Sequence, residues 1–302
     1  MTNNKIIYSK KVERSLRSGK PVLALESTII SHGMPFPENL TLAKELEEIA
    51  EDSGVTPATV CLMNGFIKIG LNEDELNHLA TNKQVKKVSR RDISPVLVNK
   101  ETGATTVAAT MVLAHLAGIK VFATGGIGGV HRFAETSFDI SADLIELSRT
   151  PVIVVSAGAK AILDLNKTLE YLETFSVPVL GYKTDKFPAF YSRTSNIDIQ
   201  RVDNIEEIVQ IFETNERMGF NSGILVANPI PEKLEIPFNL MAKFIDRAVD
   251  EALRKNINGQ QVTPFLLGKI VEITKGDSLK ANVELVKNNV ALGAGIAKKL
   301  ID

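Results

Sequence analysis

Apolar residues in this chain fall into two patterns: short unbroken runs, and longer stretches with a beat of three to four residues. The first pattern suits strands buried on both faces, and the second suits amphipathic helices packed over them. Strands are predicted at residues 21–25, 121–123, 152–155, 177–180 and 223–227. Helices are predicted at 10–18, 38–52, 74–79, 162–174, 205–218, 240–254, 264–274 and 278–300. Residues 58–70 read as a hairpin turning at Asn64-Gly65, a pair that accepts positive φ at little cost. A helix is also predicted over 102–116, opening with hydroxyl residues and carrying no acid before its end, so its start suits an anion. After the basic run at 86–92, an apolar stretch looks strand-like. Strands alternating with helices make an α/β chain with a mostly parallel central sheet plus a small hairpin. No repeat or low-complexity tract divides residues 1–302, which read as a single domain.

Composition narrows the function classes. With 302 residues, 44% hydrophobic and 24% charged, the chain can bury a large core. A net charge of −1 leaves no basic footprint for nucleic acid or an anionic membrane. The single cysteine, Cys61, permits no internal disulfide and suits a reducing, cytoplasmic setting. It sits in an apolar run and reads as a buried thiol. The first twenty residues hold no apolar core of a signal peptide, and no run reaches the length of a membrane span.

Residues 120–165 concentrate the chemistry. Gly125, Gly126, Gly128 and Gly129 follow one strand, and Ser156-Ala-Gly-Ala-Lys160 follows the next. The C-terminal ends of parallel strands face one crevice, where open α/β sheets bind ligands. The glycines allow positive φ and close backbone approach, but their spacing is not that of a dinucleotide fingerprint. Asp139 and Asp143 share a face if 139–148 is helical; they suit a hard cation or simply a solvated helix start. Lys160 lies where a helix should begin, a setting that lowers an amine's pKa and favours nucleophilic attack. Glu26 emerges from an apolar strand, so it needs a partner or a raised pKa; it reads as a general acid or base, or as a cap on nearby N–H groups. His32 lies in the turn after it. Lys86-Lys87-Val-Ser-Arg90-Arg91-Asp92 reads as a phosphate clamp or a solvated face. The aromatic loop at 181–193 reads as a lid or a subunit contact.

ALESTIISHGMPFPEN, KVSRRD, GATTVAATM, ATGGIGGVHR, ETSFDISADL, SAGAKAILD, FPAFYSR and SLKANVELVKNN occur in that order between about Ser9 and Ile301. Together they resemble the pseudouridine-5′-phosphate glycosidase, or indigoidine synthase A-like, family. The resemblance implies a three-layer α/β/α fold, a divalent cation, usually manganese, and a homotrimer. It also implies reversible cleavage of the C–C glycosidic bond of pseudouridine 5′-phosphate to uracil and ribose 5-phosphate. Carried over by residue, it assigns the nucleophile to Lys160 and the proton donor to Glu26. Substrate contacts fall on Lys87, Val107, Ser141, Ala142 and Asp143, and the metal contact on Asp139. His131 and an asparagine of the pair Asn288-Asn289, Asn289 being preferred, match further site positions. The chain departs from the pattern at Phe133, where relatives commonly have glycine, and at Lys183 and Lys186 in the aromatic loop, which bear on substrate access.

A C–C glycoside has no leaving oxygen to protonate, so two carboxylates do not suffice for its cleavage. An amine that attacks C1′ while an acid protonates the ring oxygen opens another route, through a Schiff base. A Schiff-base aldolase on a sugar phosphate and a non-catalytic sugar-phosphate sensor are the competing readings. Uracil dependence separates the first, and indifference to Lys160 the second.

Overall fold

The computed structural model describes residues 5–255, 257 and 262–301. The chain opens with β1 (Ile6–Tyr8), α1 (Lys10–Arg17) and β2 (Val22–Leu25), a strand buried along its whole length. A π-helical turn, Ile29–Gly33, leads to α2 (Glu38–Asp52). The hairpin is β3 (Thr56–Met63) with β4 (Phe66–Ile69), antiparallel and turning at Asn64-Gly65, both at positive φ. Next come α3 (Glu73–Thr81), β5 (Lys86–Val88), α4 (Ile93–Val98), β6 (Gly103–Thr105) and α5 (Val107–Leu116). The central stretch carries β7 (Val121–Ala123), α6 (Ala134–Ser137), α7 (Ala142–Leu147), β8 (Ile153–Ser156) and α8 (Leu165–Thr174). Then follow β9 (Val179–Tyr182), β10 (Gln200–Val202), α9 (Ile205–Arg217) and β11 (Ile224–Ala227). Three helices close the chain: α10 (Phe238–Arg254), α11 (Val262–Ile273) and α12 (Asp277–Lys299).

The sheet runs β1-β4-β3-β2-β7-β8-β11-β9-β10, with β5 and β6 branching from β3. Neighbours are parallel except where β3 meets β4 and β6. Helices α2 and α12 pack together on the sheet, and α5, α7 and α8 form a second group. This is the mostly parallel α/β sheet that the hydrophobic runs predict. At Gly293, α12 crosses so close that an added Cβ would sit 3.1 Å from Leu23 and 3.2 Å from Ala123. Phe122, Ile127, Met111 and Leu113 are fully buried beside the strands. Each such side chain contributes about 1.5–3 kcal/mol to folding.

Four local expectations give way, each for a physical reason. The predicted helix over 102–116 is a strand followed by a helix. The Thr105 amide donates to buried Ser27 Oγ (2.8 Å) and its hydroxyl to the Val60 carbonyl (2.8 Å), which holds that backbone extended. The strand-like run after Asp92 is α4, which continues a 3₁₀ turn at Arg90–Asp92 that a reciprocal capping box between Ser89 and Asp92 opens. Helix α8 begins at Leu165, capped by Asp164, so Lys160 lies in a turn before it and not at a helix N-terminus. Asp139 likewise precedes α7, whose N-cap is Ser141, so Asp139 and Asp143 do not share a helix face. The edge strands β1 and β10 are three residues each, too short for periodicity to show.

Candidate active site

Strand ends bring the site together. Glu26 follows β2 and is 9% exposed. Its two carboxylate oxygens accept the hydroxyls of Thr28 and Thr124, so its partners are side chains and not capped backbone. Thr124 follows β7. Beyond it the chain continues in parallel with the segment after β8 through an isolated Ile127–Ala159 bridge. The Lys160 amide closes that extension on the Ile127 carbonyl at 3.0 Å. Lys160 is half-buried.

Lys87 enters from β5, still open to solvent on one side. The cleft wall desolvates it and lowers its pKa, the Lys160 ammonium lowers it further, and Asp143 and Glu26 oppose both. That pattern places Lys160, Asp143 and Glu26 within electrostatic reach of Lys87. Burial also lowers the His131 pKa; Asp139 opposes this, while Lys160 and Lys87 add to it. Partial burial, then Lys87, lowers that of His32, against a backbone hydrogen bond at Lys86. His32 thus stands beside the cluster from the π-helical turn.

The four glycines serve packing. All four lie outside the positive-φ region, which Gly158 occupies at +82°. A Cβ on Gly128 would come within 2.2 Å of Ser141 Oγ and 2.8 Å of Asp143 Oδ2. One on Gly126 would meet the Phe190 ring at 2.6 Å. Asp143 explains the first closeness: it is buried, and its carboxylate accepts from Gly128 N (2.7 Å) and Ala108 N (2.9 Å). It thereby ties the glycine loop to the start of α5. Ser141 accepts the Asp143 amide at 3.2 Å, and the neighbouring Ala142 is exposed. Val107 is the buried first residue of α5, after the Thr106 N-cap. In that first turn the Ala108 amide is taken by Asp143 and the Ala109 amide by the Thr106 hydroxyl (3.4 Å), so the helix start already holds a carboxylate where an anion is expected.

Asn289 is fully buried. Its amide donates to the carbonyls of Thr124 (2.8 Å) and Gly125 (3.3 Å) and accepts from Asn228 Nδ2 (3.0 Å). It anchors the β7 end, while Asn288 bonds the Pro229 carbonyl at 3.1 Å. Two turns earlier on α12, Asn282 brings its side-chain carbonyl oxygen to 3.5 Å from where a Gly125 Cβ would stand. The hydroxyls of Thr28 and Thr124, and the Asn228–Asn289 link, escape sequence reasoning. Their only trace is polar residues at the ends of apolar runs.

The His131 amide bonds the Asp139 carbonyl at 3.0 Å, which sets His131 Nδ1 3.9 Å from Asp139 Oδ2. Among the described residues, no group of three or more His, Cys, Asp or Glu gathers. The Asp139 side chain is 43% exposed, so a cation there would have one carboxylate, with water and ligand oxygens completing its shell. That donor set fits a hard divalent ion. Phe133 and Phe138 bracket the one-turn helix α6 in the left-handed region, φ +64° and +52°. A glycine at position 133 would take that backbone without the roughly 1–2 kcal/mol that a side chain costs there.

The aromatic loop is pinned. Phe190 N bonds the Ala157 carbonyl (3.1 Å), Ser192 Oγ the Ile236 carbonyl (2.6 Å) and Arg193 Nη1 the Ile230 carbonyl (2.6 Å). Lys186 pairs with Asp198, and Lys183 lies in a shallow cleft of about 400 Å³ with residues of α9 and α12. That cleft belongs to the β9–β10 edge of the sheet, away from the ends of β2, β7 and β8.

Residues 11–299 match the family model described as indigoidine synthase A like protein. The chain belongs to the indigoidine synthase A-like family. It is 54% identical over 299 residues to a pseudouridine-5′-phosphate glycosidase of Geobacillus kaustophilus, covering 99% of each chain. A protein of the same name from Caldanaerobacter subterraneus is also 54% identical, over 99% of this chain and 97% of its own. The fold superposes with a TM-score of 0.92 on prealnumycin C-glycosynthase AlnA, solved with ribulose 5-phosphate, at 34% identity and covering 98% and 97% of the chains. An indigoidine synthase A-like protein of Thermotoga maritima gives 0.91 at 37% identity, covering 100% and 99%. The fold itself brings Glu26, which follows β2, and Lys160, which follows β8, toward Lys87 of β5.

Proposed function

We propose that this chain cleaves, reversibly, the C–C glycosidic bond of pseudouridine 5′-phosphate, giving uracil and ribose 5-phosphate. The observation that supports it most is the meeting of Lys160, Glu26 and Lys87 at the ends of β8, β2 and β5, in a family whose relatives carry that name. The Lys160 amine attacks C1′. The C1′–O4′ bond breaks, and its electron pair takes a proton from Glu26, which opens the ribose. Uracil C5 then takes a proton; the nitrogen lone pair forms C1′=N as the C1′–C5 bond breaks and uracil leaves. Water hydrolyses the resulting imine to ribose 5-phosphate and free Lys160. Thr28 and Thr124 fix the Glu26 carboxyl in orientation, and the α5 start with Lys87 and Ser141-Ala142-Asp143 walls the phosphate end. His131, neutral near pH 7 because its pKa is lowered, completes the site's edge, while Asn289, expected to touch substrate, is buried and acts by holding the β7 end in place. Asp139 would hold a manganese ion, which supplies positive charge beside the anionic substrate. A cytoplasmic homotrimer is part of the same reading; no described helix is long and apolar enough to cross a membrane.

Incubating the protein with uracil, ribose 5-phosphate and manganese tests the function. Pseudouridine 5′-phosphate is the expected product, and sugar-phosphate cleavage without any dependence on uracil would instead identify an aldolase. Chelation should abolish turnover and manganese restore it, whereas Asp139→Asn should resist rescue. Full activity after dialysis against chelator would exclude the cation.

Lys87→Ala should raise KM for the phosphorylated substrate roughly ten- to a hundredfold, the scale of a charge-assisted contact of about 1.5–3 kcal/mol. Parent enzyme should use dephosphorylated pseudouridine poorly; equal use of both forms would refute the assignment. Because Lys87 gives up its proton below the ordinary lysine value of 10.5, the phosphate contact is lost as pH rises through that lowered pKa. A plot of kcat/KM against pH, which reports the free enzyme, should therefore fall on the alkaline side below pH 10.5, and Lys87→Arg should push the fall upward.

A further inference from the structure

We propose that Arg90 and Glu146 form a positioning pair that fixes the spacing between the two walls of the phosphate cradle, a role that rests on the reading of Lys87 and residues 141–143 as those walls. Glu146 belongs to α7, one turn beyond Asp143, and its side chain is 1% exposed. A carboxylate removed from water to that degree needs charged or hydrogen-bonding partners. Arg90 Nη1 supplies them at 2.7 and 2.8 Å to the two carboxylate oxygens, and the Thr150 hydroxyl adds a third contact. Arg90 follows β5 by two residues, three after Lys87, in a turn braced by the Ser89–Asp92 capping box.

The cations of the 86–92 cluster therefore divide their work. Lys86 pairs with Glu101 and Arg91 with Asp92, both on the surface, while Lys87 faces the site. Arg90 grips α7 through Glu146. Helix α7 is then held twice: through Asp143 to α5 and the glycine loop, and through Glu146 to the Lys87 segment. The first tie sets the depth of the cradle and the second its width. Geometry of this kind acts on affinity, since charge-assisted contacts to phosphate weaken as their donors move out of hydrogen-bonding range.

A bridge that merely stabilises the fold would behave differently, and an apolar pair separates the two roles. The Arg90 side chain is 52% exposed and the Glu146 carboxylate is buried, so an apolar pair removes the desolvated charge together with its partner, a change that is commonly neutral or favourable for stability. Arg90→Met, Glu146→Gln, Arg90→Lys and the double variant Arg90→Met/Glu146→Leu would be compared with the parent. Readouts are melting temperature, kcat and KM for pseudouridine 5′-phosphate, turnover of dephosphorylated pseudouridine, and calorimetric binding of ribose 5-phosphate. The single variants Arg90→Met and Glu146→Gln should raise KM and the ribose 5-phosphate Kd about tenfold or more, with kcat little changed. Turnover of the dephosphorylated nucleoside should stay at the parent level, and Arg90→Lys should recover part of the affinity. The double variant should recover the melting temperature but not the affinity. Parent-like KM in the double variant, or a parallel loss on both substrates, would overturn the proposal. Should the parent itself bind ribose no more weakly than ribose 5-phosphate, the phosphate reading falls and takes the pair's role with it.

Discussion

Lys160→Ala is expected to lose turnover by at least roughly 10⁴-fold, the scale on which removing a covalent nucleophile acts, while still binding substrate. Around it, Gly158, Ala159 and Ala161 carry no group that can replace an amine. Lys160→Arg should fail as well, because a guanidinium stays protonated and has no free pair to attack with. Steady-state kinetics and ligand binding on the same preparations check both. Turnover near the parent level in Lys160→Ala would remove the lysine route from consideration.

The second large effect belongs to Glu26. Glu26→Gln should lower kcat by roughly 10²–10⁴-fold, the usual worth of a positioned proton donor, with KM nearly unchanged. The amide keeps the shape and accepts one threonine hydroxyl through its oxygen, so the pocket survives while the proton does not. Thr124→Val should have a smaller effect in the same direction, since it removes one of the two hydroxyls that hold the carboxyl in place. A rise in KM with kcat preserved would mean that Glu26 binds and does not donate.

How far the sequence foretells this depends on the kind of residue. The strand order could not be read from it, but the buried runs mark β2, β7, β8 and β11, and the Asn64-Gly65 turn marks the hairpin, because these rest on local chemistry. Glu26 and Lys160 are visible because each follows an apolar strand, where a charged residue is costly without a purpose; Lys87 stands out only as one cation of a basic cluster, and the family resemblance singles it out. The roles of Asp143 and Glu146 were hidden. Spacing suggested a shared helix face for Asp139 and Asp143, yet Asp143 turns inward to two backbone amides set by the fold of distant segments. The glycine run was visible, but its reason was not. Positive φ is a local property, whereas the clash of a Cβ with Ser141 or Phe190 depends on tertiary packing. Loop 181–193 reads by composition as a lid or a subunit contact; backbone bonds from Phe190 to Ala157 and from Ile236 to Tyr191, which no local pattern announces, pin it to the segment after β8 and to the chain before α10.

The covalent step admits a direct measurement. Borohydride added during turnover reduces an imine between the opened ribose and a lysine to a stable secondary amine. Intact mass should rise by one reduced ribose 5-phosphate per chain, and peptide mapping should place it on Lys160, with no adduct in Lys160→Ala. A substrate-dependent adduct that maps to Lys87, or that persists in Lys160→Ala, would contradict the account.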